Sequence, residues 1–96
     1  MKPCWRLIDS GPQDAFYNMA LDEAIASAVR ENVSPPTLRF YGWTWPSLSI
    51  GCFQKTENLD LEYASLAGIP VVRRPTGGRG ILHGDELTYC FSSPNE

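Results

Sequence analysis

The chain has 96 residues, a length that suits one small domain or a part of a larger one. Its composition, 43% hydrophobic and 20% charged, is typical of a soluble globular protein. The net charge of -3 argues against a general nucleic-acid binder, because binding to the phosphate backbone depends on many Lys and Arg contacts. We therefore expect no nucleic-acid partner.

Three cysteines, Cys4, Cys52 and Cys90, form no CxxC pair, and an odd number cannot pair fully within the chain. This pattern favours reduced thiols in a cytoplasmic protein. None has a neighbouring base in the sequence, so we assign no catalytic residue and no catalytic thiol. With one histidine and no ligand cluster, no metal site is predicted. The N-terminus lacks the apolar stretch of a signal peptide, and no segment reaches the length of a membrane span, so we expect no membrane partner.

The first half of the chain predicts a strand, a helix and a second strand. The strand covers Trp5–Asp9 and is followed by a turn at Ser10–Pro12. Asn18 is the predicted N-cap of the helix, and Pro35 and Pro36 prevent its continuation. Acidic Asp22 and Glu23 near the start, basic Arg30 near the end and a repeated apolar face support the helix; that face comprises Leu21, Ala24, Ile25, Ala28 and Val29.

The second half predicts further short elements, which are strands over Thr37–Tyr41 and Ser47–Phe53, a short helix from Asp60 to Gly68, a strand over Ile69–Arg73 and an extended run over Ile81–Phe91. In the Ser47–Phe53 strand, Leu48, Ile50 and Cys52 are predicted to point inward. The order β-α-β-β-α-β-loop-β indicates an α+β (α/β layered) domain, with one mixed or mainly antiparallel sheet and helices packed on it.

A glycine-rich segment, Thr76-Gly77-Gly78-Arg79-Gly80, follows a predicted strand that ends in Arg73-Arg74. Glycines let ligand oxygens approach backbone N–H groups, and the arginines place positive charge beside them. The spacing is neither that of a P-loop nor that of a Rossmann fingerprint. The segment predicts a site for a phosphate, carboxylate or carbonyl oxygen; the alternative is a hairpin loop with solvent-facing arginines.

Three other side chains are candidates for the same site. His83 follows the loop and is either a site residue or a hydrogen-bonded structural histidine. Trp43 and its aromatic neighbours could wall a channel for an aliphatic chain while the Gln54 amide orients a polar head. The alternative is that the tryptophans cover one end of the core.

The segment from Arg73 to His83 resembles a signature of the lipoate–protein ligase and octanoyltransferase family, which has biotin–protein ligases as distant relatives. Other motifs resemble the family in the same order: Trp5–Gly11, Asn18–Ala24, Arg39–Trp43, Ser49–Gln54 and Glu86–Tyr89. The resemblance covers nearly the whole chain. Pro75-Thr76-Gly77-Gly78-Arg79 is most similar to the Gram-positive type of octanoyltransferase, whereas the ATP-using ligases commonly have Ser-Gly-Gly-Gly there.

The resemblance implies a fold like that of class II aminoacyl-tRNA synthetases and biotin ligases, here incomplete, with residues 1–96 as the N-terminal part of the catalytic domain. It implies transfer of an octanoyl group from acyl carrier protein to a lysine of a lipoyl domain or of the glycine-cleavage H protein, with no cofactor. The alternative in the ligase branch is a lipoyl-adenylate made with ATP and Mg²⁺. The implied substrate-binding residues are Arg73, Arg74, Thr76, Gly77, Gly78, Arg79, Gly80, His83, Gln54 and Trp43.

The chain also departs from the family pattern. The essential lysine and the acyl-accepting cysteine of relatives lie downstream of this segment, and Lys2 and Lys55 match neither position. Gly84 stands where relatives usually have an acidic residue, although Asp85 follows. We therefore expect a partial enzyme that is inactive alone. Two alternatives are a non-catalytic ligand-binding module that needs a partner chain, and a truncated gene product.

Overall fold

A computed structural model describes residues 4–57 and 59–93. These residues form two helices and six strands, which confirms the predicted α+β class. The elements are β1 (Arg6–Gln13), α1 (Ala15–Arg30), β2 (Thr37–Trp43), β3 (Ser47–Ile50), α2 (Leu61–Leu66), β4 (Val71–Arg73), β5 (Ile81–His83) and β6 (Thr88–Ser92).

The strands form two mixed sheets of three strands each, where a single sheet was predicted. In the first, β2 lies between β1, which is parallel to it, and β6, which is antiparallel. In the second, β3 lies between parallel β4 and antiparallel β5. The predicted extended run from Ile81 to Phe91 is therefore two strands, one in each sheet. Helix α1 contacts β2 and β6 of the first sheet and β4 of the second.

Helix α1 begins one turn earlier than predicted. Its N-cap is Asp14, whose carboxylate accepts a hydrogen bond from the Tyr17 backbone N–H at 3.0 Å. The predicted N-cap, Asn18, lies inside the helix, and its backbone N–H bonds to the Asp14 carbonyl. Asp22 is consequently in the middle of the helix and buried. Arg30 closes the last turn, as predicted.

Two other local predictions are wrong. Ser10–Pro12 is not a turn but part of β1, where a β-bulge between Asp9 and Gly11 shifts the register and Gly11 takes a φ of 66°. The inward-facing pattern predicted for β3 is wrong for Leu48, which is only half-buried while Ser47 and Ser49 are buried, but Ile50 is buried as predicted. The strand ends at Ile50.

The short helix α2 follows its prediction closely. The Asp60 carboxylate accepts from the Tyr63 backbone N–H at 2.8 Å, and Gly68 ends the segment with a φ of 72°. The hydrophobic core lies between α1 and the two sheets and consists of Ala15, Met19, Tyr41, Trp43 and Val72, with Cys90 packed against it.

Candidate functional site

A cleft of about 550 Å³ opens between β6 of the first sheet and the loop that joins β4 to β5 of the second. This volume lies within the range of small-molecule sites, roughly 300–1,000 Å³. The lining comprises Met19, Asp22, Tyr41, Trp43, Arg74–Ile81, His83 and Thr88–Phe91. Of the ten predicted site residues, all but Arg73 and Gln54 are among these.

The glycine loop lies against the turn that follows β3. The Cys52 backbone N–H donates to the Thr76 carbonyl at 2.7 Å. A Cβ atom placed on Gly51 would lie 2.0 Å from the Gly78 carbonyl oxygen, and Gly78 has a φ of 102°. Only glycine at residue 51 permits this approach, and the φ of residue 78 strongly favours glycine. Glycine at these two positions therefore allows the backbone of the loop to lie directly against the backbone of the turn.

Arg74 supports the loop from within. Its guanidinium donates to the Gly77 and Arg79 carbonyls, both at 2.9 Å, and to the Ser49 hydroxyl at 2.7 Å. Arg73 also holds backbone carbonyls, but outside the cleft. Its guanidinium donates to the Gly51 and Gln54 carbonyls, both at 2.8 Å. Arg73 therefore holds the turn after β3, and Arg74 holds the glycine loop.

The loop keeps its own donors available. The backbone N–H groups from Thr76 to Gly80 donate no hydrogen bond within residues 4–57 and 59–93. The Arg79 guanidinium likewise has no hydrogen-bond or ion-pair partner among the described residues. All these residues are exposed. The rim of the cleft thus offers amides and a positive charge to a ligand's oxygen atoms.

Gln54 is not among the residues that line the cleft, and its side-chain oxygen accepts from the Gly51 backbone N–H at 3.0 Å. It stabilises the turn on which the glycine loop lies.

His83 and Trp43 form the inner wall. Their rings stack with centroids 4.0 Å apart and planes 12° from parallel. His83 is buried, with its Nε2 atom 2.7 Å from the Ser49 hydroxyl and its Nδ1 atom 2.8 Å from the Glu86 carboxylate. The Trp43 indole N–H donates to the Thr88 hydroxyl at 2.9 Å.

Glu86 connects these groups, although sequence reasoning did not name it as a site residue. Its carboxylate also accepts from the Thr88 hydroxyl at 3.1 Å and from the Gly84 backbone N–H at 3.3 Å. Burial acts to raise the pKa of Glu86, but the hydrogen bonds from His83, Thr88 and Gly84 outweigh it and hold the pKa below its ordinary value. The carboxylate is therefore ionised at neutral pH.

Tyr41, whose ring lies 5.7 Å from that of Trp43, belongs to a buried polar network that sequence reasoning also missed. Arg39 is 1% exposed and pairs with Asp22 at 2.8 Å. It also donates to the Asn18 side-chain oxygen at 2.7 Å and lies over the Tyr41 ring, 3.9 Å from the centroid. Burial, together with the hydrogen bond to Asp22, raises the pKa of Tyr41 far above its ordinary value, so the phenol stays protonated.

Cys90 lies beside this network on β6 and lines the cleft. Burial, with the nearby Asp22 charge, raises the pKa of the Cys90 thiol. The thiol is consequently protonated at neutral pH and a poor nucleophile.

Within the described ranges, no group of three or more His, Cys, Asp or Glu side chains is arranged to hold a metal ion. None of the helices in that same part of the chain has the length and apolar character needed to cross a membrane.

The α+β fold with a glycine-rich loop over an apolar cleft matches a known class of protein. Residues 14–96 match the model of the lipoyl protein ligase A/B catalytic domain, and the chain belongs to this family.

Among curated relatives, it is 56% identical over 86 residues to octanoyltransferase LipM of Halalkalibacterium halodurans, covering 88% of this chain and 31% of the relative. It is 57% identical over 89 residues to octanoyltransferase LipM of Geobacillus kaustophilus, covering 92% of this chain and 32% of the relative. The chain thus spans about a third of the length of these relatives.

A solved structure with a similar fold is that of a bipartite lipoate protein ligase with its E2 lipoyl domain from Thermoplasma acidophilum. The TM-score is 0.78 and the identity 32%, over 94% of this chain and 36% of the solved chain. The family predicted from the sequence motifs is confirmed.

Proposed function

We propose that the chain supplies the acyl-binding part of an octanoyltransferase that acts in protein lipoylation. The whole enzyme would take an octanoyl group from acyl carrier protein and transfer it to a lysine of a lipoyl domain or of the glycine-cleavage H protein. The similarity to two octanoyltransferases at 56% and 57% identity supports this reaction over others in the family.

The observation that carries the proposal is the pairing of apolar walls with unpaired backbone donors in one cleft. Met19, Trp43 and Ile81 contribute apolar surface along the cleft. At its rim, the N–H groups of the glycine loop and the Arg79 guanidinium face solvent. An aliphatic acyl chain fits the walls, and its carbonyl or carboxylate oxygen fits the donors.

We propose a division of roles among the substrate-binding residues. Thr76, Gly77, Gly78, Arg79 and Gly80 contact the acyl oxygen, and Trp43 and His83 contact the acyl chain. Arg73, Arg74 and Gln54 act indirectly, because their hydrogen bonds hold the backbone around the loop.

Calorimetry with carboxylic acids of different length tests the proposal. Burying one methylene is worth about 0.8 kcal/mol, so hexanoate is expected to bind about 15-fold more weakly than octanoate. Replacing Ile81 with Ala is expected to weaken octanoate binding, since Ile81 lines the cleft. Leu82→Ala is the matched control, because the adjacent Leu82 is exposed and outside the lining. Equal affinity for the two acids, or equal losses in the two variants, contradicts an acyl site in this cleft.

The alternative function is ATP-dependent lipoate ligation, which the similarity to a solved lipoate protein ligase favours. It would require ATP and Mg²⁺, whereas the transferase requires neither. Titration with octanoyl-adenylate and with an octanoyl-phosphopantetheine thioester distinguishes the two. We expect the thioester to bind, and we expect octanoyl-adenylate to bind no more tightly than octanoate. A large gain in affinity from the nucleotide would support the ligase.

A further inference from the structure

A continuous series of hydrogen bonds runs behind the cleft from Glu86 to the glycine loop. The Glu86 carboxylate lies 2.8 Å from His83 Nδ1, and His83 Nε2 lies 2.7 Å from Ser49 Oγ. Arg74 donates to the same Oγ atom at 2.7 Å and, from its other terminal nitrogen, to the Gly77 carbonyl at 2.9 Å. We call Glu86, His83, Ser49 and Arg74 the relay.

The donors and acceptors of the relay allow one assignment of the histidine protons. An ionised carboxylate only accepts, so Nδ1 of His83 must carry a proton toward Glu86. In neutral imidazole, Nε2 is then an acceptor. Arg74 has no acceptor atoms, so the single Ser49 proton is left to point at Nε2. Every polar hydrogen between the carboxylate and Ser49 has a partner in this arrangement.

The opposite tautomer leaves groups without partners. A proton on Nε2 would turn the Nδ1 lone pair toward the Glu86 carboxylate, which places two acceptors 2.8 Å apart. It would also leave the Ser49 hydroxyl proton without an acceptor, and Ser49 is 0% exposed. An unsatisfied buried donor costs about 1–3 kcal/mol.

The order serine, histidine, carboxylate is also that of a nucleophilic triad. Here the serine is inaccessible, because Ser49 is completely buried and its oxygen already accepts from Arg74. The series therefore transmits position to the loop and does not activate a hydroxyl.

The two ends of the relay, Arg74 and Glu86, contact different parts of the cleft. Arg74 donates to the Gly77 and Arg79 carbonyls and so holds the backbone of the loop at the cleft rim. Glu86 also binds Thr88, which in turn accepts from the Trp43 indole. One carboxylate thus connects the apolar wall with the polar rim.

We propose that Glu86 and Ser49 are positioning residues of the cleft: they hold His83 in its Nδ1-protonated tautomer and thereby fix Arg74 and the glycine loop. This inference rests on the proposed function only where ligand affinity is measured, since the tautomer and the loop conformation are properties of the chain itself.

Nitrogen NMR of the imidazole ring tests the proposal directly, because His83 is the single histidine in the chain. In ¹⁵N-labelled wild-type protein at neutral pH we expect the Nδ1–H tautomer. In Glu86→Ala we expect a mixture of tautomers, whereas Asp85→Ala, which changes an exposed neighbour, is expected to match the wild type. An Nε2–H tautomer in the wild type overturns the proposal without the need for any variant.

The loop itself is tested with a matched pair of serines. Ser49→Ala is expected to shift the amide resonances of Gly77, Gly78 and Gly80 and to weaken octanoate binding about tenfold, since it removes a hydrogen bond to a charged group. Ser47→Ala is the control, because Ser47 is on the same strand, is 1% exposed, and donates only to the Trp45 carbonyl.

Equal shifts in the two serine variants overturn the relay. Wild-type protein that shows the Nδ1–H tautomer but binds no octanoate refutes the proposed function and leaves the relay standing. Different observations would therefore refute the relay and the proposed function.

Discussion

Arg39 and Arg74 use their guanidinium groups in different ways. Arg39 is fully buried, and its charge is matched by the Asp22 carboxylate. Arg74 is half-buried and donates to carbonyls and to a hydroxyl. Among the described residues it forms no ion pair. The first arginine is neutralised within the core, whereas the second keeps its positive charge beside the exposed loop.

Because of this difference, we expect the Arg39 ion pair to affect the stability of the fold and Arg74 to affect ligand binding. Removing one partner of an ion pair inside the core leaves an uncompensated buried charge and lowers the stability of the fold. An arginine that organises carbonyls and retains its charge determines the shape and potential of a ligand site. Variants that disturb Arg39 and variants that disturb Arg74 are accordingly expected to show their largest effects in different assays.

The largest effect is expected from Asp22→Ala. It leaves Arg39 as an unpaired buried charge, and breaking such a pair costs about 3–5 kcal/mol. Urea unfolding followed by fluorescence measures the loss. The control, Glu23→Ala, changes the exposed neighbour on the same helix and is expected to stay within about 0.5 kcal/mol of the wild type. Similar midpoints for the two variants would show that the pair contributes little.

Gly51→Ala is expected to have the next largest effect. The added Cβ would meet the Gly78 carbonyl oxygen at 2.0 Å, so the backbone must move. We expect a loss of about 1–3 kcal/mol in stability, together with weaker octanoate binding. Gly77→Ala is matched to it, because a Cβ there meets nothing within 4 Å. Equal urea unfolding midpoints for the two variants would contradict the close approach of the turn and the loop.

Arg74→Lys is expected to act on binding more than on stability. Lysine keeps the charge but cannot reach the Ser49, Gly77 and Arg79 oxygens together as the guanidinium does. We expect about tenfold weaker octanoate binding, comparable to the loss of one charged hydrogen bond. If the urea midpoint falls as far as in Asp22→Ala while affinity is unchanged, the contrast between the two arginines is wrong.

The smallest effect is the pH dependence that comes from Glu86. Its pKa is lower in the folded chain than in the unfolded one, so its contribution to stability is complete above the unfolded pKa. That contribution is lost as the pH falls through the folded pKa. The stability difference between wild type and Glu86→Gln is therefore expected to shrink on acidification. Urea titrations across the acidic range measure it, and a difference that grows at low pH has the opposite sign from this account.

Local chemistry explains what the sequence predicted well. The apolar repeat indicated α1, and the carboxylate of Asp60 followed by Gly68 marked both ends of the second helix region. The glycine loop was also predicted, because a glycine cluster directly after an apolar, β-branched stretch favours a loop. The N-cap was predicted one turn too late, because Asp14 and Asn18 are both residue types that favour the N-cap and the sequence does not distinguish them.

Non-local pairing explains what was missed. Asp22 meets Arg39 only because α1 packs on β2, and Ser49 meets His83 only because β3 pairs with β5. Neither contact has a signal in sequence spacing. Glu86 was within reach of sequence reasoning, since it lies three residues after His83.

The central claim is that the cleft over the glycine loop binds an acyl chain. Two-dimensional ¹H–¹⁵N NMR of the chain titrated with octanoate tests it most directly. We predict saturable shifts of the Gly77, Gly78 and Gly80 amides and of the Trp43 indole. Unchanged loop and indole signals, with shifts confined to the exposed Trp5 on the N-terminal side, would contradict the claim.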